Sequence, residues 1–377
     1  MRIAIEAQRI FREKKHGMDI FALQLIKNLQ QIDLENQYFI FVKPGPDRYC
    51  LKETRNFKIV ELSGLTYLDW EQLSLPRALK KYKIDLLHCT SNTAPLFTDV
   101  SMVLTVHDII YLTDEGAQKG TLYQKLGHYY RKYIVPQVAE KAQRVVTVSN
   151  YELEVMKSYF DPNKLRVVYN GVAEHFFDDE RRNDLNLPDN YMFFLGNMAH
   201  KKNMRNLLKA YAWYISKSEE PVPLVIAETS DKELEALLTE LGLSHVRNHI
   251  HLTGYVPQDQ LPKLYASATV FLYPSLRESF GIPILEAMAC GTPVITSNYA
   301  SMPEVAGDCA LLTESKDYQK LGAAIHYLME DEELRLSMIE KGLRRADDFR
   351  WEEVAIKYAS LYSIVNDNER LIKASVI

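Results

Sequence analysis

Tyr273-Pro-Ser-Leu-Arg-Glu278-Ser-Phe-Gly-Ile-Pro-Ile-Leu-Glu286-Ala-Met-Ala-Cys-Gly-Thr-Pro-Val-Ile295 places two carboxylates, Glu278 and Glu286, eight residues apart around the start of one helix. The apolar run Thr269-Val-Phe-Leu-Tyr273 in front of it has strand character, Pro283 suits the first helical position, and Gly291 followed by Pro293 is a helix stop. Glu278 therefore falls in the connecting loop and Glu286 in the first helical turns. Between them Phe280-Gly281-Ile282 offers backbone N–H groups at a helix N-terminus. There the orphan donors and the positive end of the dipole favour a phosphate, and Gly281 allows close approach. A pyrophosphate with a polyhydroxylated group at each end fits such a unit.

Plainer roles exist for both carboxylates. Glu286 could stabilise its own helix from the first turn, and Glu278 could be a solvated loop charge paired with Arg277. With Pro283 first, however, Ile282 becomes the N-cap and Glu286 the fourth helical residue, so no Ser or Thr stands where a reciprocal capping box needs one.

Outward from this segment, short strand-like runs alternate with longer helical ones. In the first half they are Arg2–Glu6, Tyr38–Val42, Lys58–Leu62, Asp85–His88, Met102–Val106, Arg144–Val148 and Arg166–Tyr169. The charged stretch Asp178-Asp-Glu-Arg-Arg-Asn-Asp184 reads as a linker. Alternation then restarts with Tyr191–Leu195, Pro223–Ala227, Ile250–Thr253, Thr269–Tyr273, Pro293–Thr296 and Ala310–Thr313, separated by helices such as Asn203–Ser216, Lys232–Leu241 and Leu321–Glu330. Such alternation implies parallel sheets covered on both faces. The expected fold class is α/β: two doubly wound Rossmann-like domains, residues 1–183 and 184–350, facing an interdomain cleft. Ligands of such sheets sit beyond the carboxyl ends of the strands, where Gly17, His107, Lys201, Lys202 and Glu278 all fall.

With 377 residues, 47% of them apolar, the chain can fill two full cores. A formal net charge of -5 argues against a dedicated nucleic-acid binder, which spreads a basic excess over one face. Cys50, Cys89, Cys290 and Cys309 are scattered without a C-x-x-C pair or histidines at zinc spacing, and read as small buried residues. Met1-Arg-Ile-Ala-Ile-Glu6 is too short an apolar run for a signal peptide, and no run approaches a membrane span. The expected location is the cytoplasm, or the cytoplasmic membrane face as a peripheral protein.

The opening segment resembles the E-x7-E motif of family 4 retaining glycosyltransferases, which have the two-domain GT-B fold. The resemblance extends to Ile250-His-Leu-Thr-Gly254-Tyr-Val256, Leu261-Pro-Lys-Leu-Tyr-Ala-Ser-Ala-Thr-Val-Phe271 and Ser301-Met-Pro-Glu304-Val-Ala-Gly307-Asp-Cys-Ala-Leu-Leu312. It is also carried by Leu195-Gly-Asn-Met-Ala-His-Lys-Lys-Asn203, Val168-Tyr-Asn-Gly-Val172, Val146-Thr-Val-Ser149, Val103-Leu-Thr-Val-His107-Asp108 and Trp70-Glu-Gln-Leu-Ser-Leu-Pro-Arg77. It implies that helices from about Trp351 to 377 cross back onto the first, acceptor-side domain, and that the second domain binds a nucleotide-sugar donor.

By the same resemblance, His107, Glu278 and Lys202 are the catalytic set. Donor contacts are carried over to Gly17, Asn197, Lys201, Lys202, Tyr255, Val256, Ser279, Phe280, Gly281, Ile282 and Glu286. Glu278 would hold donor hydroxyls, Glu286 the ribose diol, and Tyr255 and Val256 would lie by the base. Sugar transfer from a nucleoside diphosphate builds negative charge on the leaving pyrophosphate, so a metal or cations must face it. The chain has no D-x-D sequence, which points to Lys201 and Lys202 rather than a metal, with no cofactor. Many relatives carry Arg directly after the glycine; here Asn197 stands there, and Lys201 occupies the arginine position of a related loop type. A histidine after an apolar strand is by itself more often structural; for His107 the resemblance favours a donor-sugar contact.

Arg12, Lys14 and Lys15, between the first strand and Gly17, are candidates for a phosphate-bearing acceptor. Arg77-Ala-Leu-Lys80-Lys81-Tyr-Lys83 and Tyr129-Tyr-Arg-Lys-Tyr133 combine cations with aromatic rings and suit a membrane interface, although solvated helix faces give the same pattern. The resemblance leans to mannosyltransferase-like members. It implies GDP-mannose over a UDP-sugar as donor and a saccharide or lipid-linked acceptor in surface polysaccharide synthesis. A nucleotide-sugar epimerase of the same fold and a non-catalytic partner subunit are the alternatives.

Overall fold

A computed structural model describes residues 1–113, 122–178 and 187–375. Among the described residues, thirteen strands form two fully parallel sheets. The first contains β1 (Arg2–Glu6), β2 (Gln37–Val42), β3 (Phe57–Glu61), β4 (Leu86–Cys89), β5 (Ser101–Thr105), β6 (Arg144–Thr147) and β7 (Leu165–Val167), in the order β3-β2-β1-β4-β5-β6-β7. The second contains β8 (Met192–Leu195), β9 (Leu224–Ala227), β10 (Ile250–Gly254), β11 (Val270–Tyr273), β12 (Val294–Ser297) and β13 (Leu311–Thr313), in the order β10-β9-β8-β11-β12-β13. The central strands are apolar on both faces because helices cover both: Ile3, Ala4 and Ile5 of β1 and all of β11 are buried. Register follows from these runs, with Ile3 opposite Tyr38 and Leu86, and Phe271 opposite Val294.

The chain divides into two compact units, residues 1–170 with 351–377, and residues 171–350. The boundary thus falls earlier than the 183/184 expected from the charged stretch. The reason is local: the Val172 N–H donates to the Phe349 carbonyl at 2.7 Å, and Phe176 is buried beside Tyr265. Residues 171–177 therefore belong to the second core. Of the expected linker, 179–184 lies outside the described residues.

The helix Trp351–Ser375 packs in the first unit, against helix Gly17–Ile32 and β5. A buried polar relay fixes it there. His88 Nδ1 lies 2.7 Å from the Tyr362 hydroxyl and Nε2 2.8 Å from Thr105 Oγ1, which in turn lies 3.0 Å from the Tyr358 hydroxyl. Burial pushes His88 down to about 3, so the ring is neutral and each nitrogen has one hydroxyl partner.

In the second unit Leu207, Leu208 and Tyr211 of helix Met204–Ile215 share one core with Phe194, Leu224 and Leu272, and with Leu321 and Ile325 of helix Tyr318–Glu330. Helix Asp231–Leu241 begins in a Ser230/Glu233 capping box and ends at Gly242, whose φ of 70° suits glycine. Cys89, Cys290 and Cys309 are buried and Cys50 is half-buried, all as free thiols. Among the described residues no helix is long and apolar enough to cross a membrane.

Candidate functional site

In the second unit two loops after adjacent strands are stitched into one site. After β8 the chain turns at Gly196, where a Cβ would stand 2.7 Å from the buried Phe194 ring, so any larger residue would force that ring to shift. A short 3-10 turn, His200–Lys202, follows and ends at Asn203, whose φ of 61° is tolerated by asparagine better than by most side chains. Asn203 Nδ2 donates to the carbonyls of Pro274 at 3.0 Å and Ser315 at 2.7 Å, and the Leu276 N–H donates to the Lys201 carbonyl at 2.8 Å. The lysine loop is thereby tied to the loop that follows β11.

That tie brings both lysines to Glu278. Lys202 Nζ lies 2.9 Å from Oε1 and Lys201 Nζ 3.2 Å from Oε2. Ser275 Oγ donates to Oε1 at 3.2 Å, and Lys202 sits 4.9 Å from the centre of the Tyr273 ring, a cation–π contact. The Glu278 side chain is only 11% exposed. Burial alone pushes its carboxyl up, but the charges of Lys202 and then Lys201 outweigh that and hold it below its ordinary value. It is ionised at neutral pH, and each carboxylate oxygen faces one ammonium group.

The helix beyond it starts one residue earlier than the proline implied. Gly281, at φ 104°, is the N-cap; Ile282 is the first helical residue and Pro283 the second. Glu286 is therefore the fifth residue, not the fourth, because the Gly281 carbonyl already accepts the Ile284 N–H at 3.0 Å. Gly281 is needed at its positive φ, and its helix end remains a suitable place for an anion. Ser301 Oγ stands 2.8 Å from the Glu278 carbonyl and 2.7 Å from that of Phe280, pinning the loop that contains Ser279. Glu286 is buried and accepts from the Tyr265 hydroxyl at 3.2 Å. Burial pushes it up to about 7, against the opposing effects of Tyr265 and Lys202.

The remaining second-unit candidates are more open. Asn197 is exposed, and its Oδ1 accepts the Ala199 N–H at 3.0 Å in a tight turn. Tyr255 is exposed and Val256 half-buried, following Gly254 at φ 67°. A depression of about 600 Å³ has Thr229, Arg247 and Gly254 in its wall.

In the first unit His107 follows β5. Its Nε2 lies 2.9 Å from the Thr90 carbonyl, its backbone N–H donates to Asn92 Oδ1 at 2.7 Å, and its ring meets the Phe21 ring edge-on at 4.8 Å. A carbonyl can only accept, so Nε2 carries the proton and Nδ1 offers a lone pair. Burial holds the imidazole below its ordinary value, so it is neutral at neutral pH. Gly17 opens the helix that carries Phe21, and nothing lies within 4 Å of where its Cβ would be. Of the three loop cations, Arg12 and Lys14 are exposed, while Lys15 is bonded to the Asp47 carboxylate and, at 3.0 Å, to the Arg12 carbonyl. Tyr129 and Tyr133 are each 67% exposed.

Several side chains that build the site lie in segments that carry the resemblance but are not among the expected site residues. Asn203 and Ser301 act through backbone carbonyls, and Tyr265 reaches Glu286 across the fold. Asn203, at a loop-to-helix junction, had a usable signal, since asparagine is favoured at helix N-caps. Ser301 and Tyr265 had none beyond the resemblance of their segments.

Two family models match consecutive stretches of this chain: Glycosyltransferase Family 4 over residues 16–176 and Glycosyl transferases group 1 over residues 176–345. The chain is 36% identical over 175 residues to O-antigen chain mannosyltransferase B of Escherichia coli, a match covering 46% of each protein. It is 28% identical over 269 residues to the serotype-specific mannosyltransferase WbdA of Escherichia coli, covering 67% of this chain and 32% of that one. The matches thus span less than half the length of these two relatives. A sucrose-phosphate synthase from Thermosynechococcus elongatus superposes with a TM-score of 0.75 at 22% identity, covering 99% of both chains, so the GT-B fold is shared.

Proposed function

The chain belongs to the glycosyltransferases, pairing a family 4 module with a group 1 module, and from that premise we propose that it is a retaining hexosyltransferase. It moves mannose from GDP-mannose to a saccharide or lipid-linked acceptor during surface polysaccharide synthesis. The observation that carries this reading is the clamp of Lys201 and Lys202 on Glu278, beside a glycine-capped helix start. Preference for mannose rests on the mannosyltransferase relatives.

In this reading the donor pyrophosphate lies against Lys201, Lys202 and the N–H groups from Ser279 to Ile282. The lysines stabilise the charge that grows on the leaving phosphate, the role a metal has in other transferases. Their ammonium groups are already gathered at one place, so little reorganisation is needed. Glu278 orients the lysines and accepts from donor hydroxyls, and Glu286 accepts both hydrogen bonds of the ribose diol. Asn197 and Gly17 border the donor, with the base by Tyr255 and Val256. Neutral His107 offers Nδ1 to a donor-sugar hydroxyl. The acceptor hydroxyl attacks from the face the phosphate leaves, and that phosphate takes its proton, which retains configuration without a protein nucleophile.

The test is nucleoside diphosphate release from GDP-mannose and from UDP-glucose, each with and without excess chelator. Release from GDP-mannose that persists in chelator is the expected result. Release only from UDP-glucose overturns the donor assignment, rescue only by magnesium or manganese overturns the lysine mechanism, and no release or binding of either donor overturns the transferase reading. Contact with a membrane through Tyr129 and Tyr133 and their neighbouring cations belongs to the same proposal, and co-sedimentation with anionic vesicles checks it.

A further inference from the structure

The first unit holds a second group of buried polar side chains, at the carboxyl ends of β1 and β4. The strand order reverses direction between these two neighbours, and open α/β sheets bind ligands at such a point. Glu6 ends β1, while Thr90, Asn92 and Thr93 follow β4. Thr90 Oγ1 donates to the Glu6 carbonyl at 2.7 Å. Glu6 Oε1 accepts the Gln8 N–H at 3.0 Å, but its Oε2, fully buried, has no hydrogen-bond partner among the described residues. A buried carboxylate oxygen without a partner is costly, and such an exception calls for an explanation.

Glu71 stands close enough to Glu6 for the two charges to repel, and it is only 1% exposed. Its Oε1 accepts from Thr93 Oγ1 at 2.5 Å and the Tyr67 hydroxyl at 3.2 Å; its Oε2 accepts from the Tyr130 hydroxyl at 2.5 Å and Gln72 Nε2 at 3.3 Å. The turn that carries it, Trp70–Ser74, is π-helical. π-turns are rare and concentrate at functional sites. This one is anchored by the buried Trp70, whose Nε1 donates to the Leu62 carbonyl at 3.0 Å.

The hydrogen-bond bookkeeping identifies the ligand chemistry. Thr93 and Tyr130 give their protons to Glu71, while their oxygens also meet the Tyr67 hydroxyl and, at 2.8 Å, Gln72 Nε2, so neither hydroxyl has a proton left for a ligand and only a remaining lone pair can face one. Glu6 Oε2 is an acceptor in the ionised form, although burial pushes this carboxyl above its ordinary value, against the hydrogen bond from Gln8 and the charge of Arg9. Arg9, the nearby cation, is paired with Asp19 at 3.0 Å. The group thus suits a neutral ligand rich in O–H donors and opposes a phosphate, which would meet two carboxyl groups.

We propose that this group binds the hydroxyl groups of a hexoside, with Glu6, Tyr67 and Thr93 in contact with the sugar and Glu71 as the residue that positions them. The inference rests on the transferase reading, in which the hexoside is the sugar of the acceptor. The phosphate end of that acceptor would then lie with Arg12 and Lys14, away from the carboxyl groups.

Binding of methyl α-mannopyranoside to the full chain, followed by saturation-transfer NMR, tests this directly, with GDP affinity from calorimetry as the parallel measurement. The wild-type protein should bind the probe. Glu6→Gln and Glu71→Gln should each weaken it about 10- to 100-fold, the range for a hydrogen bond to a charged group, and leave GDP affinity unchanged. Should either variant fail to fold, Tyr67→Phe, which removes one hydroxyl from a half-buried ring, should still weaken the probe severalfold. No probe signal from the wild-type protein overturns the proposal. So does probe affinity unchanged by the substitutions while the thermal midpoint falls, since the network is then structural. Competition by inorganic phosphate also overturns it. Absence of GDP binding sinks the transferase reading instead, and the probe result still decides this site.

Discussion

Glu278 in the second unit and Glu71 in the first are both nearly buried carboxyl groups, yet their surroundings drive them in opposite directions. Two lysines face Glu278 and hold its carboxyl below the ordinary value, whereas only neutral hydroxyl and amide donors face Glu71, and burial pushes it up to about 7. Hydrogen bonds to neutral groups do not replace the lost hydration of a charge as well as an opposite charge does. The second unit therefore presents a cation cluster held by an anion, fit for phosphate, and the first presents oxygen lone pairs, fit for hydroxyl groups.

The largest effect should come from breaking the charge side of that comparison. Lys202→Ala removes the nearer cation from Glu278 and the one that stacks on Tyr273. Turnover should fall about 100- to 1,000-fold, the loss typical for one group that stabilises transition-state charge. Steady-state nucleotide release measures it, and Lys202→Arg should recover part of the rate. A loss confined to KM would mean that Lys202 binds ground and transition states alike.

Glu286 sharpens the comparison, since it too is pushed up to about 7 by burial. The sign follows from linkage. Its folded value lies above the unfolded value of 4.5, so the folded state binds the extra proton between 4.5 and about 7. Its contribution to stability is full below 4.5 and is lost as pH rises through about 7. Glu278, with its value lowered, acts the other way: its contribution is present above 4.5 and is lost as pH falls through the lower folded value. Glu286→Gln should flatten the decline of the thermal midpoint between pH 5 and 8. A ribose diol needs the ionised form, so GDP affinity should rise through pH 7 in the wild-type protein and be lower and flat in the variant. Glu286→Ala should weaken GDP binding about tenfold, whereas Glu278→Ala should mainly lower turnover. Equal losses in both quantities for both variants would erase the division of roles.

The smallest effect is expected at the surface cations. Arg12→Ala with Lys14→Ala should raise the apparent acceptor requirement only about two- to fivefold, because exposed charges are screened, with a Debye length of about 10 Å at 0.1 M salt. Lys15 is better left in place, since it is paired with Asp47. A loss of GDP affinity in the double variant would assign this loop to the donor pyrophosphate.

Much of the fold was legible in the residues themselves. Each strand-like run from Arg2 to Thr313 is a strand, displaced by no more than a residue or two at its ends. Buried parallel strands are short apolar runs whose bounds are set by local turn chemistry, and that signal needs no knowledge of partners. The same locality misled at two places. Charged residues 178–184 suggested a boundary that the Val172–Phe349 hydrogen bond moves earlier, and Pro283 suggested a helix start that the Gly281 carbonyl sets one residue before.

By itself the sequence determined two doubly wound domains, a paired-carboxylate segment around a helix start, and a lysine pair at the end of a neighbouring strand. All are patterns within a few residues, where periodicity, glycine and proline act directly. Only the tertiary structure decided which atoms meet. Glu71 finds Tyr130 across 59 positions, Asn203 finds Ser315 across 112, and His88 finds Tyr362 across 274. Hydrogen bonds are specific to geometry at about 3 Å, and no spacing in a sequence encodes that distance between separate elements. The ionisation of a buried carboxyl depends on those partners, so the contrast between Glu278 and Glu71 is a property of packing, although the residue type is the same.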